Sequence, residues 1–353
     1  MTPLLDLRNV SKVYGGGGLF RTHEATYALR NLSYSIPEDE ASMTAIAGES
    51  GSGKTTMAML MLGFLSPTSG QVLYRGKDVA TMSSAERRQF RREVQPILQD
   101  PFEAFNPFYR VDHVLERPLK RFGLASSRRE ARRMMEEALE RVGLRPTETL
   151  GRFPHQLSGG QRQRIGIARA LLCHPRVIVA DEPVSMVDAS LRATILASLQ
   201  ALNRDFGISI LYITHDLTTA YQICQNIVVL YLGTVAEVGT VERVIRDPKH
   251  PYTQLLVSSI PVPDRRRRWG EDAPADGDSS AAPAGARVGC PFAPRCPAVM
   301  DICRQNPPPL FMPDAHRAAS CFLYRDAPVL DTADVTRVFP SQSSADPAGM
   351  SAA

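Results

Sequence analysis

An α/β fold built on a parallel sheet is predicted by three features of the chain. Short β-branched runs of buried-strand length recur (TAIA from Thr44, VIVAD from Val177, SILYIT from Ser209, NIVVLYLG from Asn226). Helical stretches separate them, and a glycine-rich loop follows the first run and opens a helix, TTMAMLMLGFL. Strands alternating with helices are the pattern of a parallel sheet covered on its faces.

The remaining elements attach to that core in order. Residues 4–14 and 27–36 alternate apolar and polar side chains and read as antiparallel strands, with Gly15–Gly18 as a flexible turn between them. Residues 84–93 and 126–142 are charged and helical. With a helix from about Gly160 to Leu172 they predict a helical subdomain over about residues 95–175. A main domain over 1–255 is expected to give way to a linker over 256–288, where a run of arginines precedes Ala, Pro, Gly, Ser and Asp. A small cysteine-containing extension follows over 289–330, and composition predicts a disordered tail over 331–353.

Composition narrows the function classes. A hydrophobic share of 43% with 22% charged residues argues against a chain that is mostly disordered or membrane-spanning. The balance of 41 basic against 37 acidic residues implies no nucleic-acid partner. The apolar runs Met57–Leu65 and Ile227–Leu232 fall short of the ~20 residues that cross a bilayer, so membrane contact requires another protein. The N-terminus lacks the pattern of a secretory signal, which leads to the expectation of a cytoplasmic location. Cys173 and Cys224 sit in apolar surroundings as core thiols, whereas Cys290, Cys296, Cys303 and Cys321 crowd together; in a reducing compartment that crowding suggests metal rather than disulfides.

The glycine-rich loop, Gly48-Glu49-Ser50-Gly51-Ser52-Gly53-Lys54-Thr55 with Thr56 behind it, has the P-loop spacing. Its glycines let backbone N–H groups turn inward around phosphate oxygens, Lys54 would reach the β and γ phosphates, and Thr55 would ligate Mg2+. The plain alternative is a Gly/Ser turn before a core helix. The strand VIVAD ends in Asp181 and Glu182; Asp181 would support magnesium and Glu182 would polarise an attacking water.

Leu157-Ser158-Gly159-Gly160-Gln161, followed by RQRIGIARALL, separates P-loop families, and it resembles the signature motif of the ABC ATPases. The resemblance covers most of residues 1–255 and implies a RecA-like parallel core, an antiparallel β subdomain and a helical subdomain. It further implies that Ser158, Gly159, Gly160 and Gln161 bind the γ-phosphate of ATP held by a second ATPase subunit, identical or paralogous. Tyr14 fits the aromatic that stacks on adenine, with strand-end packing or a competing Phe20 as the alternatives. Gln99, in ILQDP, resembles the loop glutamine that touches magnesium and water. Asp188, in Ser185-Met186-Val187-Asp188, resembles the interface loop, although the family more often carries Ala-Leu where this chain has Met-Val. His215, in YITHD, would contact the γ-phosphate and orient water and Glu182. The aromatic segment Asp100–Arg110 reads either as the surface that meets a membrane subunit or as a buried loop.

His250-Pro-Tyr-Thr-Gln-Leu-Leu and Gly289-Cys290-Pro-Phe-Ala-Pro-Arg-Cys296-Pro, with Cys303 and Cys321, resemble the C-terminal extension of dipeptide and oligopeptide importer ATPases. That resemblance implies a peripheral protein at the cytoplasmic face of the membrane, with two transmembrane permease subunits and, indirectly, an external solute-binding protein as partners. Peptides, oligosaccharides and nickel are the cargoes it implies. Some relatives hold a [4Fe-4S] cluster on these cysteines; zinc and unliganded thiols are the alternatives, since five, six and seventeen intervening residues are looser than common zinc spacing. A soluble ABC ATPase acting on DNA or ribosomes would carry long coiled coils or two cassettes in one chain. A P-loop kinase would leave LSGGQ unexplained.

Overall fold

The computed structural model describes residues 2–15, 25–100, 105–260 and 288–340. Strand β1 (Leu5–Tyr14) pairs antiparallel with β2 (Thr26–Ile36), Leu5 facing Ile36, as the alternation of Leu5 and Leu7 with polar neighbours requires. β3 (Met43–Ala47) is buried along its whole length and leads through the glycine loop into α1 (Lys54–Met61). β4 (Ser69–Tyr74) pairs with β1 and turns into β5 (Lys77–Asp78) through Arg75 and Gly76, both at positive φ, so that a four-stranded antiparallel sheet is ordered β2-β1-β4-β5. Gly15 is the last described residue before the gap at 16–24, so most of the expected turn, and Phe20, lie outside the described residues.

The helical part begins with α2 (Ser84–Glu93), started by a reciprocal Ser83–Glu86 capping box, and passes through β6 (Val94–Ile97). It continues with α3 (Asp112–Phe122), α4 (Arg128–Arg141), the single turn α5 (Pro146–Thr149) and α6 (Gly159–Leu171). Leu115, Leu119, Met135, Leu139, Ile165 and Ile167 pack these helices together in one core with the sheet.

Beyond them come β7 (Val177–Asp181), α7 (Ala189–Phe206), β8 (Ser209–Thr214), α8 (Leu217–Ile223), β9 (Asn226–Tyr231) and β10 (Thr234–Thr240). β6, β7, β8, β3 and β9 lie side by side in parallel. Because successive strand residues face opposite ways, Ala45, Ala47, Ile178, Ala180, Ile210 and Tyr212 join the core on the helical side, while Ile46, Val177, Val179, Leu211 and Ile213 join the core shared with α1 and the antiparallel sheet. The C-terminal edges of β3 and β7 therefore open between two packed layers.

After α9 (Val241–Arg246) and α10 (Pro251–Ser258), residues 256–260 are still helix and turn, and the rest of the expected linker, 261–287, lies outside the described residues. The extension does not stand apart from the main domain. Past the short helix α11 (Asp301–Gln305), β11 (Phe311–Asp314) and β12 (Arg317–Ala319) continue the large sheet, in the order β11-β12-β10-β9-β3-β8-β7-β6. Gly239 on β10 permits this pairing, since a Cβ there would come within 2.6 Å of the His316 carbonyl. The tail expected to be disordered from residue 331 is ordered as far as 340. Asp334 accepts a hydrogen bond from Ser35 Oγ at 2.6 Å, and Val335 and Val338 are buried beside β2. The polar composition of that segment hides two valines three residues apart, enough to dock one turn.

Candidate nucleotide site

The loop between β3 and α1 depends on backbone that only glycine provides. Gly48 sits at φ +145 and Gly53 at φ +107, where an added Cβ would lie 2.2 Å from the Leu230 carbonyl oxygen and 2.3 Å from that of Ala28. Ser50, Gly51 and Thr55 are exposed at the mouth of the loop, while Ser52 and Lys54 are buried and Thr56 is half-buried. Lys54 Nζ donates to the carbonyls of Gly48 (2.7 Å) and Glu49 (2.8 Å). Burial lowers the Lys54 pKa, against the upward pull of Glu182, Asp181 and Glu49. Ser52 Oγ is buried without a hydrogen-bond partner among the described residues. A buried hydroxyl left over beside an ammonium suits a ligand rich in acceptor oxygens.

Across from the loop, β7 delivers Asp181 and Glu182. Burial raises the Asp181 pKa, opposed by a hydrogen bond from the Thr55 hydroxyl. Glu182 is held at φ +45, an uncommon setting for a side chain with a Cβ, and its N–H donates to the Ile213 carbonyl on β8 at 2.9 Å. Its two carboxylate oxygens are engaged from opposite sides: Gln99 Nε2 donates to Oε2 at 3.0 Å, and His215 Nδ1 lies 2.9 Å from Oε1. Residues that follow β6, β7 and β8 thus converge on one carboxylate. Thr55 and Asp181 are hydrogen-bonded, and with the side-chain oxygen of Gln99 they are the oxygen donors that would suit Mg2+, which bound there would neutralise developing phosphate charge.

The other expected residues lie on other elements, although Ser185, at the start of the interface loop, donates its hydroxyl to the Glu182 carbonyl at 3.0 Å. Ser158 caps α6, its hydroxyl accepting from the Gln161 N–H at 3.2 Å while the Gln161 side chain accepts from the Ser158 N–H at 2.9 Å. A Cβ on Gly160 would meet Leu191 at 2.6 Å, and one on Gly159 would stand 3.6 Å from the Met186 carbonyl. The signature turn and the Ser185–Asp188 loop are therefore neighbours, with Asp188 at the N-terminus of α7. Tyr14 is exposed at the end of β1, with Lys12 Nζ 5.4 Å from its ring centre.

Two residues close to the loop were not singled out from the sequence. Tyr252 Oη accepts from the Glu49 N–H at 2.8 Å, and Arg295 reaches the Glu49 carboxylate with both terminal nitrogens, at 2.9 and 3.0 Å. Both belong to quoted motifs, but nothing in their spacing points back to residue 49.

The four clustered cysteines require a correction. Among the described residues, no group of three or more His, Cys, Asp or Glu side chains is arranged to hold a metal ion, which removes both the [4Fe-4S] cluster and zinc. Cys290, Cys296, Cys303 and Cys321 line one cavity with Phe292, Met300 and Phe322, but its free volume is about 10 Å³. That is room for about one water at most. Burial pushes the thiols of Cys290 and Cys296 up and that of Cys321 to about 11, so they stay protonated near neutrality and pack as small apolar groups.

Known proteins resemble this chain over most of its length. The ABC transporter family model matches residues 29–185, and the model for the oligopeptide/dipeptide transporter C-terminal region matches residues 236–303. A putative peptide import ATP-binding protein of Brucella ovis is 42% identical over 310 residues, covering 88% of this chain and 94% of the relative. The oligopeptide transport ATP-binding protein AppF of Bacillus subtilis is 36% identical, covering 91% and 97%. Among solved structures, the dimeric post-hydrolysis ATP-binding cassette MJ0796, bound to ADP and Pi, is 30% identical with a TM-score of 0.59, over 67% of this chain and 98% of that one. The chain belongs to the ABC transporter ATPases, in the oligopeptide/dipeptide transport family.

Proposed function

We propose that this chain hydrolyses ATP between two ATPase subunits and that the resulting closure and opening drives uptake of di- or oligopeptides through membrane permease subunits. The observation that carries the reading is Glu182, fixed through both oxygens by Gln99 and His215 opposite a Lys54 cradle. Glu182 orients a water whose oxygen forms the new bond to the γ-phosphorus as the bond to the bridging oxygen breaks, leaving ADP and phosphate. Lys54 offsets charge on the phosphates, and Gln99 and His215 keep Glu182 in line. Ser158 points no charge of its own at that cluster; the exposed cap at the start of α6 suits a γ-phosphate brought by the second subunit.

Two features support the coupling to a permease. Among the described residues no helix is long and apolar enough to cross a membrane, as expected of a subunit that works with separate permease chains. A groove of about 810 Å³, lined by apolar residues including Phe64, Phe105 and Val114 and by basic ones including Arg91, Arg117 and Arg121, separates the sheet edge from the helical part. In the segment expected to dock, Phe105 is buried and Phe108 is 87% exposed, while residues 101–104 lie outside the described residues.

The peptide cargo follows from the names of the relatives and from the matched C-terminal region. Uptake of labelled peptides by a strain lacking this chain, restored by wild type and not by Glu182→Gln, tests the whole reading. Restored uptake of nickel or an oligosaccharide, with peptide uptake unaffected, would replace the cargo and keep the motor.

A further inference from the structure

The Glu49 side chain is tied to the far end of the chain. Arg295 closes the short turn Ala293–Arg295, between Cys290 and Cys296, and forms a two-pronged pair with Glu49 across 246 positions of sequence. Its guanidinium lies 5.9 Å from the ring centre of Tyr231 and 5.7 Å from that of Phe292. Phe292 is in turn packed edge-on against Tyr231 at 5.3 Å and tilted against Tyr252 at 5.5 Å. The guanidinium therefore sits within cation–π range of two aromatic rings as it meets the carboxylate. Tyr252 secures the Glu49 N–H, and the Glu49 carbonyl is one of two acceptors that locate Lys54 Nζ. Gly48, the other acceptor, is hemmed in by the Leu230 carbonyl. All three polar groups of Glu49 are thereby engaged, two of them by residues between β10 and β11.

We propose that Arg295 is a positioning residue for the phosphate cradle: the C-terminal extension reaches back through Arg295 to hold Glu49, and ATP affinity depends on that grip. The proposal rests on the reading of the loop as the ATP site. It gives the extension a task at the nucleotide that its cysteines do not perform, and it explains why the extension is joined to the main sheet through β12 rather than left on a tether.

The test is binding of Mg·ATP to the full-length chain, with turnover at saturating ATP measured in parallel. Both partners are partly exposed (44% and 39%), so the expected loss for Arg295→Ala is moderate, about three- to tenfold in Kd at low ionic strength, and shrinks in ~0.5 M salt. Turnover at saturation stays within about twofold, because Glu182, Gln99 and His215 are untouched. Arg295→Lys, which keeps the charge and loses the fork, falls between the two. The reversed pair Arg295→Glu with Glu49→Arg binds more tightly than Arg295→Glu alone, which a merely structural role of Arg295 would not produce. Wild-type affinity in both Arg295→Ala and Arg295→Glu, or a reversed pair no better than the single reversal, overturns the proposal. A wild-type chain that does not bind Mg·ATP overturns instead the reading of the loop on which it rests.

Discussion

The glycine loop and the cysteine cavity lie on opposite sides of the same aromatic packing of Tyr231, Tyr252 and Phe292, and both stand out in the sequence as places to hold a ligand. Only the loop has the physics of one. There, burial works against charge: Lys54 is pushed down, Asp181 is pushed up, and the Ser52 hydroxyl has no partner among the described residues. Those are unmet demands that a polyanion with a divalent cation would satisfy. In the cavity, Cys303 belongs to an apolar cluster with Ala293, Phe311 and Phe322, and the space left is about 10 Å³. A cluster of ligand-type residues therefore marks a site only where the fold leaves their chemistry unsatisfied.

The largest effect that would break this contrast is at Glu182. Glu182→Gln keeps the shape and the Gln99 contact but loses the carboxylate charge, and it is expected to lower turnover by about 10²- to 10³-fold while Mg·ATP still binds. Lys54→Ala, by contrast, is expected to weaken nucleotide binding itself, which a titration of both variants separates. Near-normal hydrolysis in the Glu182 variant would mean that the convergence of Gln99 and His215 on that side chain has some other purpose.

Next in size is a pair of substitutions at Cys303, which is buried. If the cavity is apolar packing, Cys303→Ala costs about 1 kcal/mol of stability through lost contacts, and Cys303→Ser costs more, about 2 kcal/mol, because it buries a hydroxyl among aromatic rings. Thermal or urea unfolding of the two orders them. Equal loss in both variants, together with a drop in stability of the wild type on adding a chelator, would return the cavity to the class of ligand sites.

How much of this was legible in sequence follows from the range of the signals. Buried parallel strands announce themselves as continuous β-branched runs because both faces are covered, and the loop residues 48–55 are consecutive, so β3, β7, β8, β9 and the loop stand out locally. β11 and β12 carry only four and three residues, and β11 includes Pro313, so nothing local marks them as strands; they exist because Gly239 lets β12 approach β10. The grip of Arg295 on Glu49 is invisible for the same reason, since it depends on tertiary packing beside Phe292 and Tyr231 and not on any spacing. The cysteines misled because residue type was visible and the volume between them was not.

The smallest predicted effect sits at the edge of the cysteine cavity, where His250 lines the wall and its N–H donates to Glu237 Oε2 at 2.9 Å. Burial pushes Glu237 up to about 7 from 4.5, against hydrogen bonds from the His250 and Lys249 N–H groups, and burial pushes His250 down to about 4 from 6.5. For Glu237 the folded pKa is raised, so its contribution to stability is complete below pH ~4.5 and is lost as pH rises through ~7. For His250 the folded pKa is depressed, so its contribution is complete above pH ~6.5 and is lost as pH falls through ~4. The two windows overlap with opposite signs, and wild-type stability should be nearly flat between pH ~4.5 and ~6.5 as far as these groups decide it. Glu237→Gln removes one side of the balance. Its stability should then climb with pH across that interval, by at most ~1.4 kcal/mol per pH unit and less once local relaxation is allowed, and level off from pH ~6.5 to ~7 while wild type declines. Urea unfolding at half-unit pH steps reads the slope, and a profile for Glu237→Gln parallel to that of wild type would show that this wall of the cavity is wetter than its burial implies.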